Sequence, residues 1–245
     1  MNASTLPLKG VLFDKDGTLL DFDATWGPAT AAVLAALADG DETRIDALAD
    51  ACGFRRETLG FDPTSPIIAG DPGSFVPTWA EMLGLTYDAG FIARVDGLYR
   101  AESLRSLKGY ADVSTGIDAL VAAGLKIGLA TNDSEVAAKA HLEAMGVADR
   151  FDFICGYDSG FGAKPLPGMV EAFAKAIGAE AAEVVMIGDS AHDIETARRA
   201  GARAIGIART PAAAAALDGH ADVIVMDLAG LADELGLRGR STVTA

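Results

Sequence analysis

Residues 11–20, VLFDKDGTLL, constrain this chain more than any other stretch of it. An apolar run ends abruptly in Asp14, Lys15, Asp16, Gly17 and Thr18. Val11, Leu12 and Phe13 read as the end of a buried parallel strand, since a strand covered on both faces is apolar without alternation. In extended backbone, alternate side chains share a face, so Asp14 and Asp16 are expected to point the same way and Lys15 away from them. Two carboxylates at one strand tip repel each other and lose hydration, and a cation relieves both costs. Gly17 permits the sharp turn that follows.

Further along, strands and helices alternate. Strand candidates fall at residues 9–13, 126–130, 151–155, 184–187, 204–207 and 223–226, and amphipathic stretches lie at 113–123, 134–145, 167–177 and 191–200. This order predicts βαβ units and a doubly wound parallel sheet with at least five core strands. Residues 23–104 break the pattern. Segments 26–38, 43–51, 74–83 and 88–104 have helical periodicity with no convincing strand between them, and 60–73, holding Pro63, Pro66 and Pro72, reads as an irregular loop. The expected architecture is α/β, with a Rossmann-like core (residues 1–22 and 105–245) carrying an inserted all-helical cap domain (residues 23–104). Two chain crossings at one place make a natural hinge.

Composition narrows the function. Half of the 245 residues are hydrophobic, ample for a sizeable core. The formal net charge of −15 argues against a nucleic-acid or anionic-membrane partner. An anionic substrate would then need a local positive site. Cys52 and Cys155 are too few for a disulfide framework; they read as small buried hydrophobes and fit a reducing cytoplasm. The first ten residues lack the basic-then-apolar pattern of a signal peptide, and no apolar stretch is long enough to span a membrane. The polar tail, 238–245, is expected to fray. The sequence leaves the oligomeric state open, a homodimer included.

Three more strand tips carry polar clusters. Thr131, Asn132, Asp133 and Ser134 follow the 126–130 strand, a pattern also suited to a helix N-cap. Lys164 lies between Gly162 and Pro165, in a stiff loop able to hold an ammonium as a fixed point charge. Asp189 follows the 184–187 strand, and Asp193 lies four residues on, at a helix start, so both carboxylates can face one site. Hard cations such as Mg2+ take such oxygen ligands.

In this order, the four motifs resemble those of the haloacid-dehalogenase-like (HAD) superfamily, whose members are mostly magnesium-dependent phosphatases. The resemblance covers residues 8–22 and 107–230, and the inserted helices are similar in position to the helical cap of many such phosphatases. It implies that Asp14 is the nucleophile and Asp16 the general acid and base. Thr131, the Asn132 backbone N–H and Lys164 would hold the phosphoryl oxygens of a small-molecule phosphate ester. Mg2+ would be bound by the carboxylates of Asp14 and Asp189 and the backbone carbonyl of Asp16, with Asp193 binding through water or orienting Lys164. The motif wording is most similar to phosphoglycolate-phosphatase-like hydrolases. A sugar phosphomutase would share every core residue named. A haloacid dehalogenase would not need Asp16, and a phospho-binding regulatory domain would be shorter and uncapped.

Lys15, Phe22 and Asp133 depart from the usual pattern. Asp133 adds negative charge beside the phosphate loop, so its side chain is expected to point outward. His192 is expected to face solvent, since Mg2+ prefers oxygen; His141 and His220 carry no pattern. In the insert, Arg55 and Arg56 are candidates to meet a substrate carboxylate or phosphate.

Overall fold

The computed structural model describes residues 7–237; the polar tail and residues 1–6 lie outside the described residues. The chain begins with β1 (Gly10–Phe13) and then leaves the sheet. It runs through α1 (Phe22–Leu37), α2 (Glu42–Ala51), β2 (Phe54–Arg55), β3 (Gly60–Phe61), α3 (Pro66–Ala69), α4 (Val76–Leu83) and α5 (Ala89–Ser106). It returns through α6 (Val113–Ala122), β4 (Lys126–Ala130), α7 (Glu135–Ala144), β5 (Phe153–Cys155), α8 (Gly168–Ala176), β6 (Val184–Gly188) and α9 (Ala191–Ala200). It closes with β7 (Arg203–Ile207), α10 (Pro211–Leu217), β8 (Ile224–Val225) and α11 (Leu228–Glu234).

The strands form one six-stranded parallel sheet in the order β5-β4-β1-β6-β7-β8. Alternation along each strand sorts side chains onto its two faces. Val11 and Phe13 of β1 join Val185 and Ile187 of β6 and Ile205 and Ile207 of β7 in one core, with Ile117 of α6 and Leu142 of α7. Leu12 and Met186 point the other way, onto Phe173 of α8 and Ile194 of α9. Helices therefore cover both faces, which is why the strands read as unbroken apolar runs. Phe173 packs flat on the sheet because two adjacent strands carry glycine beneath it. A Cβ at Gly10 or Gly128 would come within 2.9 or 2.7 Å of its ring.

The insert between β1 and β4 has its own buried cluster, built from Val33 and Leu34 of α1, Leu48 of α2, Val76 and Trp79 of α4, and Val95 and Tyr99 of α5. The Trp79 indole N–H donates to the Leu48 carbonyl at 3.1 Å. The sequence suggested a wholly helical insert; it is mainly helical but holds one short ribbon. β2 and β3 pair as a short antiparallel ribbon, Phe54 opposite Phe61 and Arg55 opposite Gly60. Two residues per strand are too few to show a period in the sequence. Residues 60–73 likewise gain local order, as β3, α3 and a 3-10 turn at Pro72–Ser74. The chain's exit from the sheet and its return are bonded side by side. Leu20 bridges Gly109 antiparallel, Asp21 N–H donates to Lys108 O at 2.8 Å, and Tyr110 N–H donates to Leu19 O at 3.0 Å. Arg209 braces both connections, donating to the Thr18 carbonyl at 2.6 Å and to Asp112 at 2.8 Å, with its guanidinium over the Tyr110 ring.

Replacing Phe173 with Ala should cost about 3–5 kcal/mol, the usual scale for deleting a buried ring that its surroundings cannot refill. Two glycines lie beneath it and cannot supply volume. Urea denaturation followed by circular dichroism measures the loss, and a cost below about 1 kcal/mol would show that α8 settles onto the sheet without it.

Candidate active site

β1 lies between β4 and β6, where the strand order reverses. In an open α/β sheet, that reversal opens a crevice at the carboxyl ends of the strands. Asp14 sits there directly after β1, its N–H still donating to Ile187 O at 2.8 Å. The sheet's own ladder thus fixes the backbone that carries this carboxylate, which is 5% exposed.

Lys164 Nζ lies 2.5 Å from Asp14 Oδ1 and 2.7 Å from Asp193 Oδ1. The lysine loop is clamped by Asn132, whose side chain accepts the Lys164 N–H at 2.8 Å and donates to the Lys164 carbonyl at 3.1 Å. Asp193 is held at the start of α9 by Ser190, whose hydroxyl and N–H both donate to its Oδ2, at 2.6 and 3.1 Å. Asp189 closes the group from the neighbouring loop. Gly17 makes room for it: with φ at +74°, a Cβ there would fall 1.9 Å from Asp189 Oδ2. Any side chain at position 17 would displace the Asp189 carboxylate.

One carboxylate oxygen from each of Asp14, Asp189 and Asp193 lies within 4.8 Å of the others. Burial pushes Asp14 up to about 7, Lys164 opposing and the Asp193 and Asp16 charges adding. Burial, with Asp14 and Asp193 beside it, also holds Asp189 well above the usual carboxylate range. Burial disfavours the Lys164 charge, but Asp14 and Asp193 outweigh it and keep the ammonium protonated. Three carboxylates, those of Asp14 and Asp193 buried and that of Asp189 half-buried, crowd a single ammonium. That oxygen donor set fits a hard divalent cation.

Asp16 stands outside this triad. Its carboxylate accepts the Trp26 indole N–H from α1 at 2.5 Å and the Lys15 ammonium at 3.1 Å, and lies 3.5 Å from the Thr131 hydroxyl. The sequence turned Lys15 away from the aspartates; the structure corrects this. Lys15 is fully buried, and its Nζ reaches Asp16, Asp133 at 2.7 Å and His141 Nδ1 at 3.0 Å. Strand alternation holds only to Phe13, where β1 ends, and the long flexible stem bends back to the carboxylates. Asp133 is corrected with it, drawn inward by the ammonium rather than facing out. His141 Nε2 lies 2.8 Å from the Ser103 hydroxyl of α5. The chain Ser103–His141–Lys15–Asp16 therefore joins the insert to the loop after β1. Sequence inspection missed it because its members are 38, 126 and 1 positions apart; an unusual lysine between two acidic residues was the only signal.

Arg55 and Arg56 are also a correction. Arg55 pairs with Asp62, and Arg56 with Asp46 and, at 2.6 Å, Glu42. They line a separate cleft on the insert, because acidic partners on α2 and the nearby loop hold them there. The cavity over Asp14 is instead walled on the insert side by Phe22, Trp26, Ile67, Phe75, Asp96 and Tyr99. Residues 60–73 also approach the cavity, through Ile67, Ile68, Gly70 and Pro72. His192 lines the cavity too, half-buried rather than solvent-facing, with a buried Nδ1 that has no partner among the described residues.

The family model of haloacid dehalogenase-like hydrolases matches residues 8–201, most of the chain. The chain belongs to this hydrolase family. Curated relatives include the phosphoglycolate phosphatase of Chromobacterium violaceum, 30% identical with 92% of this chain and 96% of the relative covered. The phosphoglycolate phosphatase of Rhodospirillum rubrum is 29% identical over 93% of this chain and 91% of its own length. Among solved structures, a HAD phosphatase from Thermococcus onnurineus is similar with a TM-score of 0.66 and 25% identity, covering 94% of this chain and 98% of that one. No helix among the described residues is long and apolar enough to cross a membrane.

The buried imidazole sets a pH dependence. Burial, with the Lys15 charge beside it, lowers His141 to about 3 from the ordinary 6.5. The unfolded chain then binds more protons between those values, so stability rises with pH across the window. The contribution of neutral His141 is full above about 6.5 and is lost as the pH falls towards 3. At pH 5 the loss is about 2 kcal/mol. Urea denaturation at pH 7.5 and pH 5 should show wild type losing about that much more than His141→Asn. An equal loss in both proteins would mean that His141 is not held neutral.

Proposed function

We propose that this chain is a Mg2+-dependent phosphatase that hydrolyses a small phosphate monoester through an aspartyl-phosphate on Asp14. One observation carries the reading: a buried carboxylate at the sheet's reversal point, paired with Lys164 and ringed by Asp189 and Asp193. The relatives named as phosphoglycolate phosphatases support phosphoryl chemistry on a short metabolite ester.

Asp14, Asp189 and Asp193 would hold Mg2+, with the Asp16 backbone carbonyl. Mg2+, when bound, neutralises charge on the phosphoryl oxygens. Lys164 brings a fixed ammonium to the same oxygens and keeps the nucleophile aligned through its contact with Asp14. The Thr131 hydroxyl and the Asn132 N–H supply donors at the tip of β4. Asp14 attacks phosphorus in line, and the alcohol leaves. Asp16 gives its proton to the departing ester oxygen, which makes it the alcohol, and then takes a proton from the water that cleaves the phospho-enzyme. Trp26 and Lys15 fix the Asp16 carboxylate for both steps. The insert, residues 23–104, would act as a cap whose two connections bend together, closing to exclude bulk water.

Asp14→Asn should abolish turnover with the fold intact, because an amide does not attack phosphorus. Asp16→Asn should lower turnover by at least about a hundredfold, slowing both formation and breakdown of the phospho-enzyme. The test is hydrolysis of p-nitrophenyl phosphate and a panel of phosphorylated metabolites, with Mg2+ and with excess EDTA. Full activity in EDTA, near-normal turnover by Asp16→Asn, or chloride release from a haloacid in place of phosphate release would overturn the reading.

A further inference from the structure

The insert's wall of the cavity has a distinct chemistry. Phe22, Trp26, Ile67, Phe75 and Tyr99 present apolar and aromatic surface, and Asp96 is the one ionisable carboxylate among them. The rings run together: Trp26 meets Tyr99 edge-on at 5.6 Å, and Tyr99 meets Phe75 edge-on at 6.3 Å. Among the described residues, no lysine or arginine of the insert lines this cavity. The cavity's lysine, Lys164, is committed to Asp14 and Asp193, and Lys15 is buried behind it against Asp16 and Asp133. His192 stands on the core side, beside Asp193.

Asp96 is half-buried on α5. Its Oδ2 accepts the Tyr157 hydroxyl, from the loop after β5, at 2.9 Å. This bond spans insert and core and fixes the carboxylate at the cavity, leaving Oδ1 for a ligand. A carboxylate on the released alcohol would meet Asp96 and Asp133 with no cation on the insert's wall to receive it. Like charges brought together in a partly enclosed cavity repel, so such an ester is disfavoured there. An amine on the same alcohol would find a carboxylate, set among the apolar and aromatic side chains of this wall.

We propose that the alcohol released from the phosphate ester has an apolar or aromatic body and a protonated amine, and that Asp96 is the residue that reads the amine. The proposal rests on the phosphatase reading above and narrows its substrate away from glycolate-like acids.

The experiment compares kcat/KM, with Mg2+, for three-carbon esters: aminopropyl phosphate, propyl phosphate and the phosphate ester of hydroxypropionate. Wild type should favour the amine over propyl by at least about tenfold, the scale of one charge-assisted hydrogen bond, and should use the carboxylate least. Asp96→Asn should bring the amine down to the propyl level. Asp96→Lys should reverse the order, and a thermal melt of each variant checks that it is folded. A carboxylate ester used as well as the amine by wild type would overturn the proposal, as would an amine preference that survives Asp96→Asn. A carboxylate preference abolished by His192→Ala would overturn it in favour of an acid-reading histidine. Failure of the phosphatase reading gives a different result: no hydrolysis of p-nitrophenyl phosphate or of any ester in the series.

Discussion

The ammonium of Lys164, 2.5 Å from Asp14 and 2.7 Å from Asp193, is the contact on which the rest of the site is built. It joins three separate strand tips. Asp14 comes from β1, Asp193 from the helix after β6, and Lys164 from a loop pinned to the tip of β4 by the Asn132 side chain. Each carboxylate alone would be unfavourable so deep in the protein. With the lysine between them, the loops are held together, and Asp189 can close against Gly17. A substitution that weakens this ion pair therefore disturbs several loops at once, not one residue.

How far the sequence reveals this depends on distance along the chain. The sheet was legible because both of its faces are covered, so its strands are continuous apolar runs. The carboxylates at the strand tips were legible because a run that stops in Asp14 or Asp189 has few other physical explanations. The Lys15–His141–Ser103 chain was not legible. Its contacts depend on where a flexible lysine stem bends once the strand has ended, and periodicity is silent there. The β2–β3 ribbon escaped because two-residue strands have no period. Arg55 and Arg56 misled because an arginine pair in an unplaced segment says nothing about which acidic neighbour will capture it.

The site therefore has two parts, legible to different degrees. The core side, where the phosphoryl group would sit, is set by backbone geometry at the ends of a regular sheet. The insert side is set by which side chains α1, α3, α5 and the chain between α3 and α4 turn toward the cavity, and it brings Trp26 onto Asp16 and Ser103 onto His141 of α7. Through the Trp26 indole and Asp16, the wall that meets the leaving group also touches the side chain proposed to protonate it. On the proposed mechanism, moving α1 would move a hydrogen-bond donor of the acid itself.

The bridge between Leu20 and Gly109 gives the insert a particular freedom. A segment that leaves and re-enters at one hydrogen-bonded point has its ends held together whatever lies between them. Lengthening, shortening or recasting it adds only a slowly growing loop-closure cost and leaves the register of β1 against β4 and β6 untouched. The chain path thus separates two kinds of change. The sheet can keep its register while the excursion between residues 20 and 109 is altered in length or content.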